Sequence, residues 1–261
     1  MTHQFPHTGR LGLITLTMVL WMFPFLSGCA IKTPYLNINQ RPISERAPYY
    51  NEPLPYRLLV LPAVDHRPSN EQQGQRPSAM FLLLWNKRVG DYYTGDAVFG
   101  NHVADQLSTQ LADYLQKAHV FTMTNFTASL PPDFDPVNPA HIQQLARQHS
   151  ADFVLRSELA HFFGSQHQQF SMYVLPLYVA SAFGWQNNKS LPWGQTTLRV
   201  MLYDGQTGDI AWRQEFTAQE TLPRNTDSMA EAAILSLSMA SSQLTSELRR
   251  LPLQSMEPKH E

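Results

Sequence analysis

The most constraining stretch of the chain is a period-two pattern near its end. Leu198, Val200 and Leu202 alternate with Arg199, Met201 and Tyr203, and Asp204-Gly205-Gln206-Thr207-Gly208 supplies turn chemistry. Ile210, Trp212 and Phe216 then recur at even spacing towards Thr221. Alternation of this kind places one set of side chains on one face of a hairpin, and that face must be covered by another layer. The cover is close by. Asp227–Arg250 reads as a long helix capped by Thr226 or Asp227, with Ala230, Ile234, Leu237, Ser241, Leu244 and Leu248 along one narrow seam. The seam can pack on the parent sheet or on a second copy of the chain, and the parent sheet is the commoner use of such a face.

Earlier segments follow the same logic. Tyr56–Val64 and Val120–Thr124 are short branched apolar runs that read as strands, as does Asp152–Phe163. Gly100–Ala118 carries Val103, Leu107, Leu111, Tyr114 and Leu115 at three- and four-residue spacing and reads as an amphipathic helix. Pro139–His149 makes a shorter helix on Ile142, Leu145 and Ala146. Ala79–Trp85 is a short apolar run, and Lys87–Gly95 reads as loop. The predicted order is β-α-β-α-β, an apolar insert, β-β, α. This is a single α/β domain over residues 56–250, with a mixed β-sheet flanked by helices and a tail at 251–261.

Of the 261 residues 15% are charged, and the formal net charge of −2 lacks the basic excess of a nucleic-acid binder. The charges are unevenly placed: residues 1–28 carry one, Arg10. Leu11–Phe25 is an uncharged run of fifteen, shorter than the roughly 20 residues of a membrane-spanning helix and suited to the apolar core of a signal peptide. The single cysteine, Cys29, follows Leu26-Ser27-Gly28 directly. One cysteine excludes a disulfide framework and a Cys-based metal site. Leu26-Ser27-Gly28-Cys29 resembles the lipobox of bacterial lipoproteins. That resemblance implies diacylglycerol on the Cys29 sulfur, cleavage between Gly28 and Cys29, and acylation of the new amino terminus. No cofactor beyond those covalent lipids is implied. Position 30 is Ala rather than the Asp that resembles an inner-membrane retention signal, so the expected site is the outer membrane, facing the periplasm. Two or three acyl chains give a stable anchor where one is marginal. Residues 29–55, with Pro34, Pro42, Pro48, Pro53 and Pro55, read as a tether that lets the domain stand off the bilayer.

Phe170–Trp185 is the least ordinary segment: sixteen uncharged residues with Pro176 mid-run and Gly184-Trp185 at the end. It is too short, and too broken by proline, to span a bilayer as a helix. Phe170, Tyr173, Val174, Leu175, Leu177, Tyr178, Phe183 and Trp185 are the candidate partner or oligomer contact, with Phe81–Trp85 as a neighbour. Burial under the sheet and a membrane-dipping hairpin are the alternatives, although the polar–apolar alternation of a spanning hairpin is absent.

Four pieces in order are similar to the periplasmic lipoprotein domains grouped around the curli-secretion lipoprotein, the penicillin-binding-protein activator lipoproteins and the amino-terminal domain of the Tol–Pal translocation protein. They are LLVLPAVDHRP, VADQLSTQLADYLQKA running into HVFTM, LARQHSADFVLRSEL, and LRVMLYDGQTGDIAWR. Within them Ala151–Leu155 and Asp204–Trp212 match that group's strand and hairpin stretches. Ser69–Gly95 and Phe170–Trp185 depart from its pattern. The resemblance implies a small α/β fold and a non-enzymatic role, in secretion pores, wall-synthase activation or assembly. The expected partners are outer-membrane lipid through Cys29, an envelope protein, and a second copy of the chain.

Residues able to carry other chemistry are few. His161 and His167 are six apart, and His141 and His149 eight apart, which is neither helical nor strand metal-ligand spacing. His161 reads as a strand residue with its ring bonded to backbone. Asp65-His66-Arg67 ends the first strand. There Asp65 is expected to cap the turn and Arg67 to pair across the sheet edge, with acid–base catalysis as the sharper alternative. No Gly-x-Ser-x-Gly, P-loop or Gly-x-Gly-x-x-Gly occurs among the 12 glycines. A secretion or export channel subunit, or a lipid-binding accessory of a transporter, are the alternatives to an adaptor.

Overall fold

A computed structural model describes residues 38, 42–76, 78–82, 85–100, 103–173, 185–223 and 228–252. The predicted signal and lipobox region, with Gly28 and Cys29, lies outside them. So do Val174, Leu175, Leu177, Tyr178, Phe183 and the segment 253–261. Among the described residues no helix is long and apolar enough to cross a membrane.

Nine described strands form one mixed sheet: β1 Leu54–Val60, β2 Val64–Asp65, β3 Ser78–Leu82, β4 Trp85–Tyr93, β5 Phe121–Phe126, β6 Phe153–Tyr173, β7 Trp185–Lys189, β8 Trp193–Asp204 and β9 Ile210–Thr221. The helices are α1 Ser69–Gln73, α2 Asp96–Phe99, α3 Val103–Lys117, α4 Pro139–Gln148 and α5 Met229–Arg250. The protein is a single mixed α/β domain, as the periodicities predict.

The sheet is organised on β6, 21 residues long, or roughly 70 Å at about 3.3 Å per residue. One of its edges takes three partners in succession. β1 pairs in parallel at Phe153–Leu155, β2 in parallel at Glu158–Leu159, and β4 antiparallel at Ser165–Tyr173. The other edge takes β8, then β7. β5 lies parallel to β1, and β9 antiparallel to β8. The lower half of β6 is thus the middle of a five-strand α/β sheet, and its upper half continues into a four-strand antiparallel extension.

Two cores follow from strand alternation. Leu58, Val60, Phe153 and Leu155 face α3 and α5, while Leu59, Leu61, Val154 and Tyr203 face Ile142, Leu145 and Ala146 of α4. The seam of α5 is buried against β6, β8 and β9, so it serves the parent sheet. Its first turn rests on bare backbone. A Cβ at Gly164 would come within 1.9 Å of the Met229 carbonyl oxygen, and one at Gly194 within 2.3 Å of Ala232. The cap of α5 is Ser228, whose side chain accepts from Glu231 N–H at 3.1 Å, in place of the predicted Thr226 or Asp227.

Three further expectations are refined. β6 runs ten residues beyond Phe163, so Phe170–Tyr173 are strand and Trp185 opens β7, while residues 174–184 of the apolar insert lie outside the described residues. Lys87–Tyr93 is strand rather than loop. Residues 164–169 of β6 are glycine, serine, glutamine and histidine, and Gly90 of β4 lies at φ 144, so propensity argues against strand; ladder pairing on both sides of β6 overrides it. Finally, the predicted tether is not free up to Pro55. Ile38 and Ile43 are buried in the core, and Ile43–Arg46 form a 3₁₀ turn. Proline blocks a regular helix there, but the interspersed apolar side chains still find a groove.

Candidate functional site: a braced β-extension

Between its pairing with β2 and with β4, β6 has a gap on one edge at residues 160–164, next to a register irregularity between Leu159 and His161. Buried backbone groups there need partners. Side chains from Asp65–Gly95 supply them. Phe162 N donates to Glu71 Oε2 at 3.2 Å, and Gly164 N donates to Thr94 Oγ1 at 2.8 Å. Thr94 N in turn donates to the Gly164 carbonyl at 2.9 Å. The other oxygen of the buried Glu71 carboxylate lies 2.7 Å from His161 Nδ1. The ring of His161 is therefore held by a carboxylate, which corrects the expectation of a backbone partner.

Arg67 fixes the segment that carries Glu71. Its side chain is fully buried and joins two carboxylates. Nε and Nη2 donate to Asp65 at 2.9 and 2.6 Å, and Nη1 and Nη2 to Asp96 at 2.8 and 3.1 Å. Burial opposes the guanidinium charge most strongly, yet the bonds Arg67 donates to Asp65 and Asp96, with their negative charges, outweigh it and hold the Arg67 pKa above its ordinary value. Burial likewise opposes the Asp65 carboxylate, and Arg67 overrides it, holding Asp65 below its usual range. Arg67 N donates to Asp65 Oδ1 at 3.0 Å, so Asp65 caps the turn as predicted. Arg67 pairs with Asp65 of β2 and Asp96 of α2 together, rather than with a residue across the sheet edge. Asp65-His66-Arg67 is thus a brace. The basic residue was visible in the sequence, but nothing there pointed to Asp96 or Glu71.

Above the brace, β4 and β6 pair from Tyr93 opposite Ser165 up to Trp85 opposite Tyr173. On the far edge β7 pairs from Lys189 opposite Gln168 to Trp185 opposite Met172. Phe170, Tyr173 and Trp185, three of the predicted contact residues, therefore share the end of one ladder. Asp91 and His167, opposite one another, are exposed and joined at 3.0 Å. Of the other histidines, His141 accepts from Asp135 N at 2.9 Å, and His149 ends α4. Among the described residues no three His, Cys, Asp or Glu side chains converge on a point that could hold a metal.

No family model matches the chain, and no curated protein matches it. Several solved structures are similar in part. A Xanthomonas campestris protein of the DUF330 family model is 14% identical with a TM-score of 0.48, over 80% of this chain and 93% of its own. A dodecameric PelC from Paraburkholderia phytofirmans is 9% identical with a TM-score of 0.37, over 76% and 94%. Lipoprotein GNA1162 from Neisseria meningitidis is 14% identical with a TM-score of 0.34, over 76% and 100%. At these values the likeness is partial and assigns neither family nor activity.

Proposed function

We propose that the chain is a non-enzymatic, lipid-anchored adaptor of the bacterial outer membrane, acylated on Cys29 and facing the periplasm. In this reading it presents its β-extension to a protein of the envelope. The observation that carries the anchor is Leu26-Ser27-Gly28-Cys29 behind an uncharged run of fifteen residues. Support for the adaptor role comes from the extension. β6 continues past the helix-covered sheet into a four-strand ladder, and the link from its tip to β7 is the apolar stretch holding Val174, Leu175, Leu177, Tyr178 and Phe183. An uncharged, apolar sequence following the last residues of a braced extension suits recognition of another protein.

Two experiments test the reading. Cys29→Ser should abolish incorporation of labelled palmitate and move the protein from the membrane to the soluble fraction; retention in the membrane would refute the anchor. Val174→Asp with Leu177→Asp should abolish co-purification of the envelope partner while leaving thermal unfolding cooperative. Loss of the cooperative transition would instead mean that the segment is core.

A further inference from the structure

We propose that Ile38 with Pro42–Glu52 acts as a detachable clasp: it occupies the groove between α3 and α5 and sets how far the domain can stand from its membrane anchor. The reach rests on Cys29 being that anchor; the docking does not.

The groove is filled from within the chain. Ile38 and Ile43 are 0% and 1% exposed and belong to one cluster with Leu107, Leu111 and Leu115 of α3 and Leu244 and Leu248 of α5. Polar contacts fix the register. Ile43 N donates to Gln110 Oε1 at 3.2 Å, Ser44 Oγ donates to the Asp113 carboxylate, and Lys117 Nζ donates to Ser44 Oγ at 3.0 Å. At the far end Tyr50 N donates to the Ala118 carbonyl at 3.0 Å, and the Arg249 guanidinium lies 5.0 Å over the Tyr50 ring. Arg249 Nη1 also donates to the Glu52 carbonyl.

This is a site of defined register, yet lightly held. Its fully buried apolar side chains are Ile38 and Ile43, with Ala47 and Tyr50 partly buried against the core; among the described residues it has 3₁₀ turns and no strand, Arg46 is exposed, and the exposed Tyr49 rests its ring on His119 at 5.4 Å. Segments tied by few buried contacts and no ladder open well below the global unfolding free energy. Two reaches follow. With the clasp shut, Ile38 lies nine positions beyond Cys29, a span of about 30 Å at most. With it open, the first fixed residue is Leu54, 25 residues on, and the limit rises to roughly 85 Å. The clasp therefore gives one anchored domain a near and a far position.

The test uses the full-length lipidated protein on supported bilayers, and in detergent solution, with trypsin cutting after Arg46 read by mass spectrometry. Ile43→Asp puts a charge into the groove and should raise the initial rate of that cut by about tenfold or more. Reflectometry should then show the protein layer further from the bilayer by on the order of 20 Å. In a second variant, Ser44→Cys with Asp113→Cys, oxidation should slow the cut below the wild-type rate and reduction should restore it. A wild-type rate and layer distance in Ile43→Asp, or an oxidised pair that protects nothing, overturns the clasp. If Ile43→Asp loses its cooperative thermal transition, the cysteine pair decides alone. Protein that fails to associate with the bilayer refutes the anchor, and the cleavage rates in solution still decide the docking.

Discussion

Arg67 is a cation wholly removed from water in a chain with few charges, and its contacts explain why it is tolerated. Four side-chain hydrogen bonds to Asp65 and Asp96 satisfy the guanidinium fork. Arg67→Ala leaves two partly buried carboxylates facing each other and should destabilise the fold by about 3 kcal/mol, measured by urea unfolding. Arg67→Lys should recover little of it, because an ammonium cannot bridge both carboxylates in fork geometry. The same cluster gives a pH signature. The Asp65 carboxyl is held below its ordinary 3.8 in the folded state, so its contribution is fully present above that value. The contribution fades as acid takes the pH below 3.8 through the depressed pKa. Asp65→Asn should flatten the loss of stability in that acid window; an unchanged profile would show that other groups set it. Asp65 capping the turn could be read from sequence. The role of Glu71 could not, because its partners lie about ninety positions away on β6.

At the scale of elements, legibility tracks how much of the signal is local. α3, α4, α5 and the β8–β9 hairpin each carry their own periodicity, and all four form close to where it places them. The upper half of β6 and β4 carry none. Gly164, a run of Ser and Gln, and Gly90 argue for loop, and only pairing between distant segments makes them strand. The tether misled for the opposite reason: prolines are a sound sign of irregular backbone, and irregular backbone can still dock. Gly164 and Gly194 mark where α5 meets the sheet, a contact that no local pattern announces. Gly194→Ala would drive a methyl group into the Ala232–Ala233 backbone. It should cost about 2 kcal/mol or more and lower the melting temperature by roughly 5 °C in calorimetry. A neutral result would mean that α5 can slide.

For the whole molecule, a single mixed sheet with flanking helices was readable in outline, and the continuation of β6 and β4 beyond the helix-covered sheet was not. The contact residues chosen from composition fall in two groups. Phe170, Tyr173 and Trp185 sit on described strands at the tip of the extension, while Val174, Leu175, Leu177, Tyr178 and Phe183 lie in the connection between them. Because β6 belongs to both the helix-covered sheet and the extension, the two halves share one continuous strand. A partner that clamps the tip would therefore damp fraying along the entire strand. Amide exchange at Val154 and Leu155, far from the point of contact, should slow together with exchange at Gln168, so that occupancy of the tip is reported at the foot of the sheet without any change of shape.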